Sequence, residues 1–346
     1  MSDPTTAIHT YLTTAPTSGF LHQPVEMVDH WQGRDNLLWR VRTAEGDAVV
    51  KMYLDAGQVR SRRQRVGQQL FSAFGLAPEP LWEDRTPEGL PRQVLVYRWA
   101  EGESLDLADP LHRDALAEGL AFIHRQEPEL VQRFSPHPIN LATFWQIWSA
   151  SEEALARWVT RASAPGLSSL LDSLWRETHP LIGQALPLFG ETRPALIHGE
   201  MSVENVLIRR GRCLFLDWEF FGLGDPAQEV ARFLFYSGPE WSEAEQAAWL
   251  ERYLAAMNEP VLEERIQLYR RVFPFHAATN LLHGLLQELA ASAAAAQELA
   301  DHAEMFVETA AASLARAAQD LGTGPLSQED QAQLRAELAD LLKYTL

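Results

Sequence analysis

The stretch ALIHGEMSVENVLIRRGRCLFLDWEFFG, residues 195–222, differs from the sequence on either side of it. Its two apolar runs, residues 206–208 and 213–218, flank a turn at residues 210–212, and this pattern predicts a short β-hairpin. The flanking sequence instead places apolar side chains every three or four positions, which is typical of amphipathic helices. We therefore expect one small hairpin within a helical region.

Glu200, Asn205 and Asp217 are polar residues of this segment, spaced five and twelve residues apart. Further upstream, Lys51 lies inside the apolar run VVKMY. Phosphoryl transfer needs a carboxylate that orients the attacking hydroxyl, oxygen ligands for Mg²⁺ and a lysine against the phosphates. We therefore expect Glu200 to be the catalytic carboxylate and Lys51 to contact the phosphates of a nucleotide. Asn205 and Asp217 are the expected Mg²⁺ ligands.

The first hundred residues show a different pattern, made of strands, turns and one helix. A polar helical stretch from about residue 56 to residue 74 ends at Gly75, which is typical of a helix C-terminus. The sequence Glu101-Gly102-Glu103 interrupts the pattern, and we expect a boundary between two lobes there. The runs that predict strands are residues 25–31, 37–42, 48–54 and 91–99.

Composition and charge limit the possible partners. The chain has 346 residues and a formal net charge of −18. Residues 1–100 hold 11 acidic and 11 basic residues, whereas residues 101–346 hold 36 acidic and 18 basic ones. The acidic second part disfavours a nucleic-acid partner and favours a cationic small molecule. No apolar run approaches the roughly 18 residues of a membrane span, so we expect no membrane partner.

Cysteine content and the N-terminal sequence bear on location. Cys213 is the single cysteine of the sequence, so no disulfide can form within the chain. The first 14 residues, MSDPTTAIHTYLTT, lack the basic and apolar regions of a secretory signal. We therefore expect a cytoplasmic protein. The sequence predicts no oligomeric state.

Several motifs resemble those of the aminoglycoside phosphotransferase and choline kinase family. H-G-E-M-S-V-E-N at residues 198–205 is similar to the family pattern H-G-D-x-x-x-x-N, and F-L-D-W-E at 215–219 is similar to its strand ending in aspartate. These two blocks are specific, and the matches together run in the family's order from about residue 25 to residue 236. The other matching segments are Gly33-Arg34-Asp35-Asn36, Val50-Lys51, residues 99–105, residues 120–124 and residues 224–231.

The resemblance implies an α+β, bilobal, protein-kinase-like fold. Residues 1–100 would form an N-lobe with a small antiparallel sheet and one main helix. Residues 101–346 would form a larger, mainly helical C-lobe that carries the hairpin segment 195–222 and an acceptor pocket. The cofactors implied are ATP, or another nucleoside triphosphate, and Mg²⁺. The implied nucleotide contacts, besides Lys51, are Gly33 and Asn36 in the phosphate loop and Arg98 and Ala100 at the hinge.

The resemblance also implies an activity: an ATP-dependent phosphotransferase that moves the γ-phosphoryl group to a hydroxyl of a small, amine-bearing molecule, either an aminoglycoside-like compound or an amino alcohol. Two departures from the family pattern keep an alternative open. Glu200 replaces the usual aspartate, and the helix after Lys51 has Gln64 near the position where a glutamate would pair with the lysine. Residues 56–78 contain no acid, so Asp55 or a residue of the other lobe would have to take that place.

The alternative is a nucleotide-binding pseudokinase that regulates without turnover. A third hypothesis is a helical partner-binding protein in which the motif is coincidental.

Other residues remain open between a site role and a structural role. We expect His198 and Asp225 to be structural, the arginines at 60, 62, 63 and 65 to form a solvated helix face, and the tryptophans at 145, 148, 158 and 175 to pack in the core. Glu219, His276, Asn280 and His283 are left undecided.

Overall fold

The computed structural model describes residues 3–33, 35–55, 57, 59–131, 139–237, 241–291 and 302–345. It confirms the predicted combination of an antiparallel sheet with a larger number of helices. Arg34, part of the predicted phosphate loop, lies outside the described residues. No helix within them has both the length and the apolar character that a membrane span requires.

The chain divides into two compact units. The first comprises Met1–His137, Ala195–Glu229 and Ser237–Asn258. The second comprises Pro138–Pro194, Val230–Tyr236 and Glu259–Leu346. The predicted lobes, residues 1–100 and 101–346, divide the chain differently from these two units. That division stays a prediction.

A five-stranded antiparallel sheet dominates the N-terminal part of the first unit, with strand order β1-β2-β3-β5-β4. The strands are β1 (Glu26–Gln32), β2 (Asn36–Thr43), β3 (Gly46–Tyr53), β4 (Pro80–Asp84) and β5 (Val94–Arg98). Four of them coincide with predicted strands. The sequence analysis missed β4, because proline and two acids in PLWED weaken the β pattern.

Strand alternation places Lys51 on the face of the sheet opposite the apolar side chains of its neighbours. In β3, Val50 and Met52 belong to a buried cluster with Trp39 and Val41 of β2. Since successive side chains of a strand point to opposite faces, Lys51 between them points away from this cluster. The helix α1 (Pro4–Thr14) packs its apolar residues into the same cluster.

The helix α2 (Val59–Phe71) confirms the predicted helix before Gly75, which adopts a left-handed conformation with φ of 72°. A close approach at Gly67 joins this helix to the 195–222 segment. A Cβ atom at Gly67 would lie 2.7 Å from the ring of Trp218. One turn later, Phe71 stacks on the same ring at a centroid distance of 4.8 Å. The helix is thereby held against the residues that follow Asp217.

The 195–222 segment forms the predicted hairpin. Its strands β8 (Val206–Arg209) and β9 (Arg212–Phe215) pair in antiparallel register, and β6 (Glu103–Ser104) adds to the edge of β8. Two further short strands, β7 (Ala195–Ile197) and β10 (Gly222–Gly224), pair with each other at the ends of the segment. The helices α3 (Pro110–His124) and α8 (Glu243–Met257) belong to the first unit, and α7 (Pro226–Ser237) begins in it.

The second unit is helical in its described part. An Asn140–Thr143 capping box begins its first helix by satisfying free backbone N–H groups. Large aromatic side chains, such as Phe144, Trp148 and Phe275, are fully buried in this unit. Its helices are α4 (Leu141–Ser149), α5 (Glu152–Arg161), α6 (Pro165–Phe189), α9 (Leu262–Ala291), α10 (Ala303–Asp320) and α11 (Gln328–Thr345).

Candidate active site

A cavity of about 1040 Å³ lies within the first unit, between the five-stranded sheet, α2 and the 195–222 segment. Arg98 does not line it, because its guanidinium donates hydrogen bonds to the side chain and carbonyl of Glu45. The other predicted site residues all line the cavity: Gly33, Asn36, Lys51, Ala100, Glu200, Asn205 and Asp217. The structure therefore brings together side chains from distant parts of the sequence.

Lys51 is buried in the wall of this cavity between two carboxylates. Its side chain is 2% exposed, and its Nζ lies 2.5 Å from Asp217 Oδ1 and 2.8 Å from Glu219 Oε2. Burial alone would lower the pKa of Lys51, but the two negative charges outweigh burial and raise that pKa above its ordinary value. The lysine is therefore a fixed cation at the surface of the cavity.

The carboxylates that hold Lys51 come from the end of the 195–222 segment and not from Asp55. Gln64, at the position where a helix glutamate was expected, is fully buried. Its Oε1 accepts a hydrogen bond of 2.7 Å from the hydroxyl of Tyr53. The helix α2 therefore contributes a neutral amide at this position, and the charge that balances Lys51 is supplied elsewhere.

Asp217 has an unusual backbone conformation, with φ of 51° and ψ of 62°. A residue other than glycine in this left-handed region is strained by its Cβ, and such strain is typical of functional sites. Hydrogen bonds on the preceding residue support the conformation. Leu216 donates its N–H to the carbonyl of Asn205, and its own carbonyl lies 2.7 Å from His198 Nε2. Fully buried, His198 has the structural role that we predicted.

Glu229 holds the loop that carries Glu200, and the sequence analysis did not single it out. Its carboxylate accepts the backbone N–H groups of His198 and Gly199, and its Oε2 lies 2.8 Å from His124 Nε2. Burial would raise the pKa of Glu229, but the histidines and the N–H of Gly199 outweigh burial and lower it to about 2. Its position four residues after Asp225, within the matching segment 224–231 at the start of a helix, was the available signal.

Gly199 and Asp225 complete the support of this loop. Gly199 has φ of 90°, and a Cβ atom there would collide with the carbonyl oxygen of Phe220, so only glycine fits. Asp225 accepts a hydrogen bond of 2.9 Å from the N–H of Ala227 at the start of α7. This agrees with the structural role predicted for Asp225.

Three carboxylates and an amide can hold a cation at the cavity. Ligand oxygens of Glu200, Asp217 and Glu219 lie within 4.8 Å of one another. The Nδ2 of Asn205 donates to the carbonyl of Glu200, which leaves the Asn205 side-chain oxygen as the ligand atom of that amide. Carboxylate and amide oxygens are the ligands that Mg²⁺ prefers. The donor set therefore fits the divalent cation expected from the sequence.

The loop between β1 and β2 is tied to α2 by an arginine. The N–H of Gly33 donates to the carbonyl of Asn36 at 2.9 Å, which closes a tight turn. Within that turn, Asp35 accepts a hydrogen bond of 2.8 Å from Arg60, whose Nη1 also lies 3.3 Å from Glu219 Oε1. Arg60 lines the cavity, so for this arginine the expectation of a solvated helix face is wrong.

Aromatic side chains line another part of the same cavity. The rings of Trp31 and Trp99 meet edge to face at 6.3 Å, and the guanidinium of Arg40 lies 4.2 Å from the centre of the Trp99 ring. Leu38 and Val49 add apolar surface. The sequence analysis did not assign a site role to these residues, although two tryptophans at the ends of predicted strands were the available signal.

The sequence profile described as "Phosphotransferase enzyme family" matches residues 27–269. The chain belongs to this family. Among curated proteins, no sequence matches it. The match covers the sheet, the cavity and the 195–222 segment, so the residues that line the cavity are those of a phosphotransferase family member.

Solved structures with the same fold agree with this assignment. A choline/ethanolamine kinase family protein from Mesorhizobium loti has a TM-score of 0.58 and 18% identity, over 96% of this chain and 99% of that one. The choline kinase from Cryptosporidium parvum has a TM-score of 0.55 and 11% identity, over 96% and 98%. A GDP and kanamycin complex of APH(2")-IIia has a TM-score of 0.55 and 19% identity, over 89% and 98%. The protein-kinase-like fold is thereby confirmed.

In the second unit of this family member, the candidate tryptophans and His276 take part in packing, whereas Asn280 is exposed. Trp148, Trp158 and Trp175 are buried, as predicted, whereas Trp145 is only partly buried. The Nε1 of Trp148 donates a hydrogen bond of 2.8 Å to Thr279. His276 contacts the rings of Phe144, Trp148 and Phe273, and its Nε2 lies 2.9 Å from Nδ2 of Asn280. Within the described residues, neither His276 nor His283 lines the cavity of the first unit.

Proposed function

We propose that this phosphotransferase moves the γ-phosphoryl group of ATP, or of another nucleoside triphosphate, to a hydroxyl group of a small, amine-bearing molecule. The observation that supports the proposal is the convergence on one cavity of Lys51, Glu200, Asn205 and Asp217. A buried cation, a carboxylate for the hydroxyl and oxygen ligands for a divalent cation are the parts that phosphoryl transfer uses.

Each of these residues has a role in the proposed reaction. Mg²⁺, when bound, neutralises charge on the phosphates, and Asn205 and Asp217 would hold it. Lys51 would bind the phosphates from the sheet. Glu200 would orient the acceptor hydroxyl and accept its proton as the acceptor oxygen bonds to the γ-phosphorus. The bond from that phosphorus to the bridging oxygen breaks, and the nucleoside diphosphate leaves.

Two groups of residues that line the cavity support an orientation for the nucleotide. The aromatic and apolar part, which includes Trp31 and Trp99, offers flat surfaces for a base next to Ala100. The Gly33–Asn36 turn and Lys51 would receive the phosphates. Since Arg98 points to Glu45, we do not assign it a contact through its side chain. The predicted lobes, 1–100 and 101–346, would enclose the nucleotide between them.

Charge supports a cationic acceptor. The 36 acidic against 18 basic residues after residue 100 attract amines and repel nucleic acids. The names of three structural neighbours refer to choline, ethanolamine and kanamycin, all of which carry cationic nitrogen and hydroxyl groups. Because Cys213 is a single, buried thiol, a reducing cytoplasm is the location that we propose.

Calorimetric titration with a non-hydrolysable ATP analogue, with and without Mg²⁺, tests the nucleotide site. We expect binding that requires Mg²⁺ and is lost in Asp217→Ala. The matched control is Glu204→Ala, which removes an exposed acid from the same segment outside the cavity. Absence of nucleotide binding in the wild type would refute the proposal.

An ADP-release assay tests the acceptor class. Amine-bearing alcohols and amino sugars would be compared with neutral alcohols of similar size. We expect turnover with the cationic compounds, and its loss in Glu200→Gln. Turnover with neutral alcohols alone would contradict the proposed acceptor class. Nucleotide binding without turnover on any acceptor would favour the pseudokinase alternative.

A further inference from the structure

Glu219 lies between two cations at the wall of the cavity. Its Oε2 is 2.8 Å from Lys51 Nζ, and its Oε1 is 3.3 Å from Arg60 Nη1. The carboxylate is 5% exposed, whereas the side chain of Asp217, which also contacts Lys51, is 31% exposed. Of the two carboxylates that hold the lysine, Glu219 is therefore the one removed from solvent.

The helix α2 offers no acidic side chain to Lys51, so the opposite charge must come from elsewhere. Residues 56–78 contain no acid, and Gln64 of α2 is engaged with the hydroxyl of Tyr53. Burying the charged form of Lys51 without an opposite charge nearby would cost a large amount of free energy, as it does for any single buried ion. Arg60 extends the contact, since the same guanidinium binds Asp35 in the turn between β1 and β2. The ion pairs therefore link Lys51 to the loop that carries Gly33 and Asn36.

Asp217 would have to share its one negative charge between this task and the proposed metal site. Its Oδ1 is the atom that contacts Lys51, at 2.5 Å, and the same carboxylate is the proposed Mg²⁺ ligand. A cation on Asp217 competes with the ammonium for that carboxylate. Glu219 belongs to the same group of possible metal ligands, but its Oε2 already contacts Lys51 Nζ and has no other hydrogen-bond partner within the described residues.

We infer that Glu219 is a positioning residue, which holds Lys51 in place for the phosphates when Asp217 is engaged by metal. Glu219, which follows β9, supplies the negative charge that α2 lacks. This inference rests on the proposed function for its consequence, which is phosphate binding. The hold on Lys51 itself can be measured without nucleotide.

The lysine content of the chain allows a direct measurement. Lys51 and Lys343 are the only lysines in the sequence, so ¹⁵N-lysine labelling gives two side-chain ammonium signals, and Lys343→Arg assigns them. A buried, ion-paired ammonium exchanges its protons slowly with water. We expect a slowly exchanging Lys51 signal in the wild type and in the control Glu204→Gln, and exchange at least about tenfold faster in Glu219→Gln. An unchanged exchange rate in a folded Glu219→Gln protein would overturn the inference.

Calorimetry with the Mg²⁺ complex of the ATP analogue measures the consequence. We expect Kd to rise about 10-fold to 100-fold in Glu219→Gln, the range for loss of a contact to a charged group, and less in Glu219→Asp. If Glu219 acts through Lys51, adding Glu219→Gln to Lys51→Met changes Kd by less than about threefold. If Glu219 were a metal ligand, the double variant would need more Mg²⁺ than Lys51→Met alone, and the inference would be overturned.

The two measurements separate the possible failures. If the wild type binds no nucleotide, the proposed function fails, and the ammonium signal still decides whether Glu219 holds Lys51. If the wild type binds nucleotide and Glu219→Gln binds it equally well, the proposed function stands and the inference fails. Circular dichroism and thermal unfolding of each variant confirm that the comparison is between folded proteins.

Discussion

The cavity of the first unit and the aromatic interior of the second unit bury side chains of opposite kinds. At the cavity, Lys51 and Glu219 are buried charges that face each other, and Glu229 is a buried charge that supports the loop carrying Glu200. In the second unit, ring contacts with centroid distances of 4.7–6.1 Å join an aromatic cluster. That cluster consists of Phe144, Trp145, Trp148, Trp175, Phe275 and His276.

The difference has an energetic meaning. Burying an aromatic ring stabilises a fold through the apolar area that it removes from water. Burying an ion pair contributes little net stability, because the desolvation of both charges opposes their attraction. A cavity that retains several buried charges therefore points to binding and chemistry, whereas the aromatic cluster points to packing. Substitutions in the two regions should differ in the property that they change.

The largest effect on stability should come from the centre of the aromatic cluster. Trp148 is 1% exposed and contacts the five other rings of the cluster. We expect Trp148→Ala to lower the free energy of unfolding by about 4 kcal/mol, since it leaves a cavity and frees Thr279 from a hydrogen bond. Urea denaturation measures this. The adjacent Ile147, 65% exposed, is the control, and a Trp148→Ala loss no larger than that of Ile147→Ala would contradict the assignment.

The next effect concerns a buried charge with a purely structural role. We expect Glu229→Gln to lower the free energy of unfolding by about 3 kcal/mol at pH 7, because the amide cannot replace the carboxylate against His124 and two backbone N–H groups. The folded pKa of Glu229, about 2, lies below the ordinary 4.5. Its contribution is therefore complete above pH 4.5 and is lost as the pH falls towards 2.

Denaturation of wild type and Glu229→Gln across this pH range tests both parts. The difference between the two proteins should shrink as the pH falls from 4.5 towards 2. Glu204→Gln, an exposed acid of the 195–222 segment, serves as control. A difference that is independent of pH would show that the charge of Glu229 is not what stabilises the loop.

Glu229 also illustrates how far sequence reasoning reaches. The hairpin and the placement of Lys51 on a strand were predictable, because each follows from a local pattern of apolar residues and turns, whereas the fold was predictable from the resemblance of the motifs to a known family. Seven of the eight predicted site residues line the cavity, since their spacing matches a known family. Their roles in catalysis stay predictions.

What could not be predicted depends on contacts between distant residues. Lys51 meets Asp217 across 166 positions, and no local pattern specifies that Glu219 rather than a residue of α2 takes the second place. Likewise, Glu229 was quoted within a matching motif, yet its part in holding the loop became visible only when His198 and Gly199 were seen to donate to it. Local patterns define elements, whereas the partners of buried charges are defined by packing.

The third effect should change turnover and leave stability alone. Glu200→Gln keeps the size of the side chain but removes the proton acceptor, and we expect kcat to fall about a hundredfold, while Kd for the nucleotide analogue changes less than about twofold. The fall is moderate because phosphoryl transfer depends more on positioning and charge than on proton removal. Single-turnover transfer to an acceptor from the screen measures it. An unchanged kcat would exclude Glu200 as the proton acceptor.

The smallest effect concerns the titratable group of the aromatic cluster. Burial, with a contribution from the charge of Arg232, lowers the pKa of His276 to about 3. His276 becomes protonated near pH 6.5 in the unfolded chain but stays neutral in the folded protein down to a much lower pH. The stabilising contribution of neutral His276 is therefore lost as the pH falls from 6.5 towards 3. The imidazole Nδ1 is buried without a partner in the described part of the chain, and a phenyl ring would remove it.

We therefore expect His276→Phe to lose less stability than the wild type between pH 7 and pH 5, by about 1 kcal/mol, because the side chain is only partly shielded from solvent. Urea denaturation at the two pH values measures the difference. Phe273→Leu alters a ring beside His276 without adding or removing a titratable group, so its cost should be equal at both pH values. If His276→Phe shows the same pH dependence as the wild type, the histidine is protonated as easily in the folded protein as in the unfolded chain. The cluster would then tolerate a charge, and its contrast with the cavity of the first unit would be weaker than the geometry indicates.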